Sequence, residues 1–260
     1  MDNTNEVIKK YMTRKLYYED PLLGSCSATV EAVGHEGIKL DQTVAFPEGG
    51  GQKGDGGTLV VARTGQRITF TDTQKGPGRL LLIKDFPSIQ IENPIYHVID
   101  ETELAKFRVG DEVQVFLDIN RRAKLTISHT ASHLLFIGVG EVKAEALDNV
   151  KGCSITEDYA RFDFGVSMRF TPEELLQIQE IANTYVNRNL PVRLYSHADE
   201  PEAWYWECNG KVIPCGGTHL KETGNVGPLQ VKRKNLGKGL ERISVTFSNP
   251  EIDTTIYRNH

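Results

Sequence analysis

The sequence predicts an α+β protein, with a small β-barrel over residues 1–118 followed by an α/β domain over residues 119–260. Short β-rich runs fill the first part, and a long helical pattern begins directly after residue 118. Hydrophobic residues make up 39% of the 260 residues and charged residues 25%, close to the average for folded domains. A chain of this length and composition can bury a sizeable core in one or two domains.

The first part consists of strand-like runs separated by Gly, Pro and Asp, a spacing typical of small β-barrels. These runs are SATVEAV, TLVVA, RITF, RLLLI, PIYHVI and EVQVFL. Within this part lies a glycine-rich segment, PEGGGQKGDGG, at residues 47–57. It fits no phosphate-binding fingerprint, so its glycines predict a sharp turn whose backbone closely approaches another domain or a ligand.

The second part combines helices with strands. Apolar spacing predicts a helix over about residues 120–147, followed by a second helix from a capping box at residues 171–174 to about residue 189. Proline at position 172 suits the first turn of that helix. Strand-like runs follow at residues 192–196, 229–232 and 242–247.

Four potential metal ligands occur in two pairs, each pair four residues apart. His129 and His133 share one face if their segment is helical, while Cys215 and His219 follow a proline and flank Gly-Gly, which indicates a tight loop. Alone, the first pair is more often two satisfied core histidines. Together, one thiol and three imidazoles predict a zinc site, with tetrahedral iron and copper as alternatives.

Several chemistries lack a sequence signature. Thr130 stands where the His-Glu-x-x-His peptidases carry their catalytic glutamate. The chain has no Gly-x-Ser-x-Gly elbow, Walker loop or dinucleotide fingerprint.

A hydrolytic zinc usually keeps an open position, whereas four protein ligands close the site. The sequence leaves open whether the ion is structural, loses a ligand to substrate, or only positions the substrate.

The chain resembles the AlaX alanyl-tRNA editing proteins and the editing region of alanyl-tRNA synthetase. The matching motifs are HTASHLL at residues 129–135, CGGTHL at 215–220, the glycine-rich segment, LDQT at 40–43, DINRR at 118–122, RFDF at 161–164 and GKGLERI at 237–243. This resemblance implies a translation-factor-like barrel followed by a zinc-containing editing domain of the threonyl/alanyl-tRNA synthetase type. The length indicates the free-standing form of the editor.

The resemblance also implies a reaction, the zinc-dependent hydrolysis of mischarged tRNA(Ala), with serine the first expected amino acid and glycine the second. An alanine pocket rejects an added hydroxyl by only about 100-fold, so a second sieve is needed. Thr43, from the LDQT motif, is expected to help recognise serine, and the alternative is an ordinary strand threonine. Gln52 is a weaker candidate for a substrate hydrogen bond, and His133 is expected at the catalytic zinc.

Two basic clusters are candidates for tRNA binding despite the net charge of −5. For the cluster at residues 232–242, the alternative is a solvated strand edge and turn. The residues expected to contact tRNA are Arg121, Arg122, Lys232, Lys234, Lys238 and Arg242.

Two other functions fit the zinc ligands. One is a non-catalytic tRNA-binding module held together by structural zinc, and the other is a zinc amidase or peptidase acting on small substrates. No apolar run approaches the length of a membrane span, and the N-terminus lacks an apolar signal region. With the sparse cysteines, this favours the cytoplasm. Residues 1–23 match no motif, and the oligomeric state is not predicted.

Overall fold

The computed structural model describes residues 12–259, which form two compact units. The first contains the described residues 12–49, 54–122 and 254–259, and the second contains residues 50–53 and 123–253. The middle of the glycine-rich segment therefore belongs to the second unit. The predicted domain boundary at residues 118 and 119 stays a prediction, and residues 1–11 of its first domain lie outside the described part of the chain.

The first unit consists mainly of short strands. Its elements, in chain order, are β1 (Arg14–Lys15), α1 (Leu16–Glu19), β2 (Ser25–Gly34), β3 (Gly37–Leu40), β4 (Gln42–Thr43), β5 (Gly57–Val61), β6 (Arg67–Phe70), β7 (Asp72–Lys75), β8 (Arg79–Leu81), β9 (Ile89–Ile91), β10 (Ile95–Val98), a 3₁₀ helix (Glu101–Lys106) and β11 (Glu112–Leu117). Every strand-like run predicted in this region overlaps one of these strands.

Seven of these strands form one sheet in the order β6-β5-β11-β2-β3-β10-β7. Alternation along β11 buries Val113, Val115 and Leu117 while the intervening side chains remain more exposed. The sheet's fully buried side chains include Val30, Ile38, Leu40, Leu59, Val61 and Val115. Across residues 12–259, no strand pair joins β6 to β7, the two outer strands.

The helix α2 (Ile119–Val142) carries the first histidine pair. The second unit continues with a 3₁₀ helix (Ala144–Asn149), β12 (Val150–Ile155), β13 (Tyr159–Gly165), α3 (Pro172–Asn187), β14 (Val192–His197), β15 (Glu200–Cys208), β16 (Lys211–Pro214), a 3₁₀ helix (Gly224–Val226), β17 (Leu229–Gly237) and β18 (Leu240–Phe247). The mixed α and β content predicted for the chain is confirmed.

The second unit contains a four-stranded sheet, β12-β13-β18-β17, and a three-stranded sheet, β14-β15-β16. Phe162, Phe164, Ile243 and Val245 project from one face of the larger sheet into a core shared with α2 and α3. Because side chains alternate along a strand, Arg161, Lys232, Lys234 and Arg242 belong to the opposite face.

The helix ends differ from the predicted ones. The histidine helix ends at Val142, five residues early, because Lys143 leaves helical geometry with φ −145° and a 3₁₀ helix follows. The capping box at Thr171 and Glu174 forms as predicted. Its helix stops before Asn189, whose φ of 43° is left-handed. Within the described residues, no helix has both the length and the apolar content of a membrane span.

Candidate metal centre

The first two candidate ligands lie on α2, where His129 and His133 are four residues apart on one face of the helix. Their residues are only 3% and 4% exposed. The two rings meet edge to face with centroids 5.1 Å apart. Trp206, which is fully buried on β15, packs its ring 4.7 Å from that of His133. The prediction of a shared helical face is confirmed, and Trp206 shields that face from solvent.

The second pair lies in the loop after β16, which α2 and β15 hold by hydrogen bonds. The backbone amide of Cys215 donates to the Trp204 carbonyl at 2.8 Å. At the other end of the loop, the Leu220 amide donates to the Thr130 hydroxyl at 3.0 Å. Gly217 lies between these points, and a Cβ there would come within 2.1 Å of His129 Cε1. Only glycine allows the loop to lie this close to the helix.

The four side chains converge. One ligand atom from each of His129, His133, Cys215 and His219 lies within 4.8 Å of the other three. The Cys215 Sγ atom is 3.4 Å from the Nε2 atoms of both His129 and His219. Sulfur and nitrogen ligands of a tetrahedral zinc ion lie roughly 3.5 Å apart, given bond lengths of about 2.3 and 2.0 Å. The spacing of the donors therefore fits zinc.

Burial controls the protonation of this cluster. It lowers the pKa of His129 to about 3 and the pKa of His133 and His219 well below the usual value, with the neighbouring imidazoles adding to the effect on the last two. Burial also raises the pKa of the Cys215 thiol to about 11. Neutral imidazoles offer lone pairs, and a cation bound among them would stabilise the thiolate. The cluster can therefore hold a divalent metal ion.

Gln52 lies within this cluster. Its Oε1 atom is 2.6 Å from His129 Nδ1 and accepts a hydrogen bond from the Thr218 amide at 3.1 Å. The residue is fully buried. The polar atoms of its side chain are thus engaged with protein groups. Its expected contact with substrate stays a prediction.

Thr43 lies in the first unit, where it is fully buried on β4. Its Oγ1 atom is 2.8 Å from His97 Nε2 and accepts from the Ala45 amide at 3.0 Å. His97 Nδ1 faces the Ile38 carbonyl at 3.1 Å, so Nδ1 carries the hydrogen and the Thr43 hydroxyl donates to Nε2. The expected role of Thr43 in recognising serine stays a prediction.

The predicted tRNA-binding residues differ in exposure. Lys232, Lys234 and Lys238 are exposed. Arg242 is partly exposed and forms a bidentate pair with Asp163, at 2.7 and 2.9 Å.

The two arginines at the start of α2 have protein partners. Arg121 donates to the Gly54 carbonyl at 2.9 Å. Arg122 is 1% exposed and pairs with Asp55. A side chain buried to this degree offers no donor to an external phosphate, so Arg122 is better explained as part of a structural ion pair.

Sequence reasoning missed a set of threonines that link the two ligand pairs. Thr126 donates to the Thr218 hydroxyl at 3.0 Å, and Thr130 donates to the Thr126 carbonyl at 2.9 Å. The signal was present, because Thr126 and Thr130 are four residues apart on α2 and Thr218 lies within the CGGTHL motif. It was overlooked because threonine is not itself a zinc ligand.

Comparison with known proteins shows that this chain is similar to proteins that act in alanyl-tRNA editing or synthesis by name. Residues 192–244 match the family described as the second additional domain of threonyl and alanyl tRNA synthetases. The alanyl-tRNA editing protein AlaX-M of Pyrococcus horikoshii is 33% identical over 239 residues, covering 90% of this chain and 97% of that protein.

Two ligases are also similar. The alanine–tRNA ligase of Pyrococcus furiosus is 32% identical over 89% of this chain, and that of Methanocorpusculum labreanum is 31% identical over 93%. The chain spans 25% of the first ligase and 26% of the second.

Proposed function

The chain belongs to the family of alanyl-tRNA editing proteins, and from this membership we propose that it hydrolyses the ester of mischarged tRNA(Ala), with serine the preferred amino acid and glycine the second. Its substrate is then an aminoacyl-tRNA rather than a free amino acid or a peptide. The reaction separates the amino acid from the 3′ end of the tRNA by adding water across one ester bond.

The convergence of His129, His133, Cys215 and His219 is the observation that supports this proposal most strongly. These residues come from a helix and a loop that are far apart in sequence, yet their donor atoms are close enough to share one ion. The mixture of thiol and imidazole donors favours zinc over magnesium or calcium, which prefer oxygen ligands.

Lewis acidity at the ester carbonyl, or acidity in a bound water, would come from a zinc ion held by these four residues. The chain's own side chains bind and orient. Trp206 packs on His133 and excludes water from one side of the ring. Recognition of serine rather than alanine requires a protein group that hydrogen-bonds the serine hydroxyl, since alanine would leave that group unpaired.

A second candidate function is a non-catalytic tRNA-binding module with a structural ion. The closed set of four protein donors favours it, because hydrolytic zinc sites usually have three protein ligands and an open position. The two functions differ in what the ion does. A structural ion is needed for folding, whereas a catalytic ion is needed only for turnover.

We propose that the tRNA backbone contacts the open face of the four-stranded sheet, defined here as the outward side chains of β13, β17 and β18. Lys232 and Lys234 lie on this face, and Arg242 is the cross-strand partner of Lys234. Lys238 lies in the turn that connects β17 and β18. Arg121, which is partly exposed, is a further candidate.

The family also supports finer expectations of fold. We propose that the seven-stranded sheet of the first unit corresponds to a translation-factor-like barrel, and that the second unit corresponds to the zinc-containing editing domain of the threonyl/alanyl-tRNA synthetase type.

The test is deacylation of tRNA(Ala) charged separately with serine, glycine and alanine, using the wild type and a His133→Ala variant. The proposal expects rapid release of serine, slower release of glycine and little release of alanine, with activity lost in a folded variant. Bound tRNA and bound zinc without release of any amino acid would instead support the binding module.

A further inference from the structure

Gln52 is the only side chain in the described residues that hydrogen-bonds the Nδ1 atom of a candidate ligand. Its carboxamide lies between helix α2 and the loop that carries Cys215 and His219. The Oε1 atom is 2.6 Å from His129 Nδ1, and Nε2 donates to the Thr218 hydroxyl at 3.1 Å. The second unit contains all three residues.

The orientation of this carboxamide follows from its backbone partner. The Thr218 amide lies 3.1 Å from the atom assigned as Oε1. A backbone amide can only donate, so the atom that faces it must be the oxygen. A flipped carboxamide would put two donors against each other at this point. The Thr218 amide therefore identifies the atom next to His129 as an acceptor.

That acceptor determines the tautomer of His129. Because Oε1 can only accept, Nδ1 of the ring carries the hydrogen. In a neutral imidazole the Nε2 atom then keeps its lone pair. Nε2 is the atom that lies 3.4 Å from Cys215 Sγ, toward the other donors.

We propose that Gln52 is a positioning residue that keeps the hydrogen of His129 on Nδ1 and thereby presents the Nε2 lone pair to the metal ion. The inference rests on the proposed metal site, but not on the proposed tRNA reaction. In this role Gln52 acts through His129 and does not need to touch the substrate.

The other two histidines make the role of Gln52 specific. The Nδ1 atoms of His133 and His219 are buried and have no hydrogen-bond partner among the described residues. Metal-bound imidazoles are normally oriented by a hydrogen bond from the second ring nitrogen. His129 is therefore the ligand whose ring orientation depends on a side-chain partner, and Gln52 is that partner.

The glycine-rich segment explains how Gln52 reaches this position. The Ile155 amide donates to the Gly51 carbonyl at 2.7 Å, and the Lys53 amide donates to the Ile155 carbonyl at 3.1 Å. Gly51 has a φ of 87°, and a Cβ there would lie 2.7 Å from Cys153 Sγ. Residues 50–53 thus add to the end of β12 like a short strand, and glycine is needed where they pass Cys153.

The test compares zinc affinity, by chelator competition on the full chain, in four proteins: the wild type, Gln52→Leu, Gln52→Glu and Gln179→Leu. The leucine variant keeps the bulk of Gln52 but removes the acceptor, whereas the glutamate variant keeps an acceptor oxygen. Gln179 is the matched control, since its Oε1 accepts from the Val231 amide at 2.9 Å elsewhere in the same unit. Nitrogen NMR of the histidine rings reports the tautomer of His129 independently of affinity.

We expect Gln52→Leu to bind zinc about 10-fold to 100-fold more weakly than the wild type and to lose the Nδ1-protonated signal of His129 before zinc is added. Gln52→Glu should restore both properties, and Gln179→Leu should match the wild type. A folded Gln52→Leu variant with unchanged affinity and tautomer would overturn the inference. If that variant fails to fold, Gln52→Glu decides: retained affinity and tautomer support the inference, and loss of both overturns it.

Failure of the proposed function would be distinguishable. A wild type that binds no zinc overturns the metal site and this inference together. A wild type that binds zinc but releases no amino acid overturns only the hydrolysis, and the role of Gln52 then stands on the affinity and NMR results.

Discussion

Arg122 and Asp55 form an ion pair that is almost completely removed from solvent, with side-chain exposures of 1% and 0%. The Arg122 Nε atom donates to both carboxylate oxygens of Asp55, at 2.9 and 3.1 Å. The remaining donors of the guanidinium reach the Val44 carbonyl at 2.7 Å and the Pro21 carbonyl at 3.3 Å. The pair thus joins the start of α2 to the rest of the first unit.

Replacing Arg122 by methionine should destabilise the protein by about 3–5 kcal/mol, because it leaves the Asp55 carboxylate buried without its partner. The matched control is Arg14→Met, which breaks the pair with Glu19 between side chains that are 62% and 48% exposed. That change should cost much less, because water screens an exposed ion pair and solvates the carboxylate that is left. Urea titrations of both variants give the two free energies of unfolding, and equal losses would contradict the structural role of Arg122.

His97 makes stability depend on pH. Burial lowers its pKa to about 4 from a usual value of 6.5, so the unfolded chain takes up the proton first as the pH falls. Above about pH 6.5 His97 is neutral in both states and costs no stability. As the pH falls from 6.5 toward 4, the free energy of unfolding decreases, and this loss reaches about 2 kcal/mol at pH 5.

The measurement is the free energy of unfolding from pH 7 to pH 5 in the wild type and in His97→Gln. The glutamine variant removes this titration and leaves all the others, so the difference in pH dependence isolates His97. We expect the wild type to lose more stability than the variant. Parallel curves would show that His97 is not held neutral.

Gly217→Ala should disrupt the metal centre, because the new Cβ would lie 2.1 Å from His129 Cε1 and 3.0 Å from Gln52 Oε1. His129 must move to relieve this overlap, and we expect zinc affinity to fall by at least about 10-fold, as for loss of a ligand's support. Gly34→Ala is the control, since its Cβ would meet only the end of the flexible Glu36 side chain. Chelator competition measures both, and a Gly217→Ala protein that binds zinc normally would contradict the close packing of loop and helix.

Substituting both Lys232 and Lys234 by alanine should weaken tRNA binding and reduce its salt dependence, because the open sheet face then loses two cations. The slope of log affinity against log salt should become shallower by about 2. Lys221→Ala, an exposed lysine in the loop before β17, is the control. Filter binding at several salt concentrations checks this. An unchanged slope would contradict the proposal that tRNA contacts the open face of the sheet.

Local patterns predicted the helices and the ligand pairs well. The capping box at Thr171 formed because both of its hydrogen bonds lie within four residues: the Thr171 hydroxyl accepts from the Glu174 amide at 3.2 Å, and Glu174 accepts in return at 2.8 Å. His129 and His133 share a face for the same reason, since helical spacing alone decides it. The motifs that carried the resemblance then related one pair to the other.

Contacts between distant segments were not predictable in this way. Gln52 and His129 are separated by 77 positions, and a hydrogen bond between two polar side chains leaves no periodic signal in the sequence. The strand β15 was also missed, because no strand was predicted between residues 196 and 229. Arg122 lies in a basic run, and nothing in that run reveals that Asp55 neutralises it.

In the proposed function, the four-residue cluster hydrolyses mischarged tRNA through a bound zinc ion. The most direct measurement is release of serine from Ser-tRNA(Ala) by the purified protein before zinc removal, after chelation, and after one equivalent of zinc is returned, with circular dichroism recorded at each stage. We expect activity to disappear on chelation while the fold persists, and to return with zinc. Release of serine that continues undiminished in the zinc-free protein would contradict it.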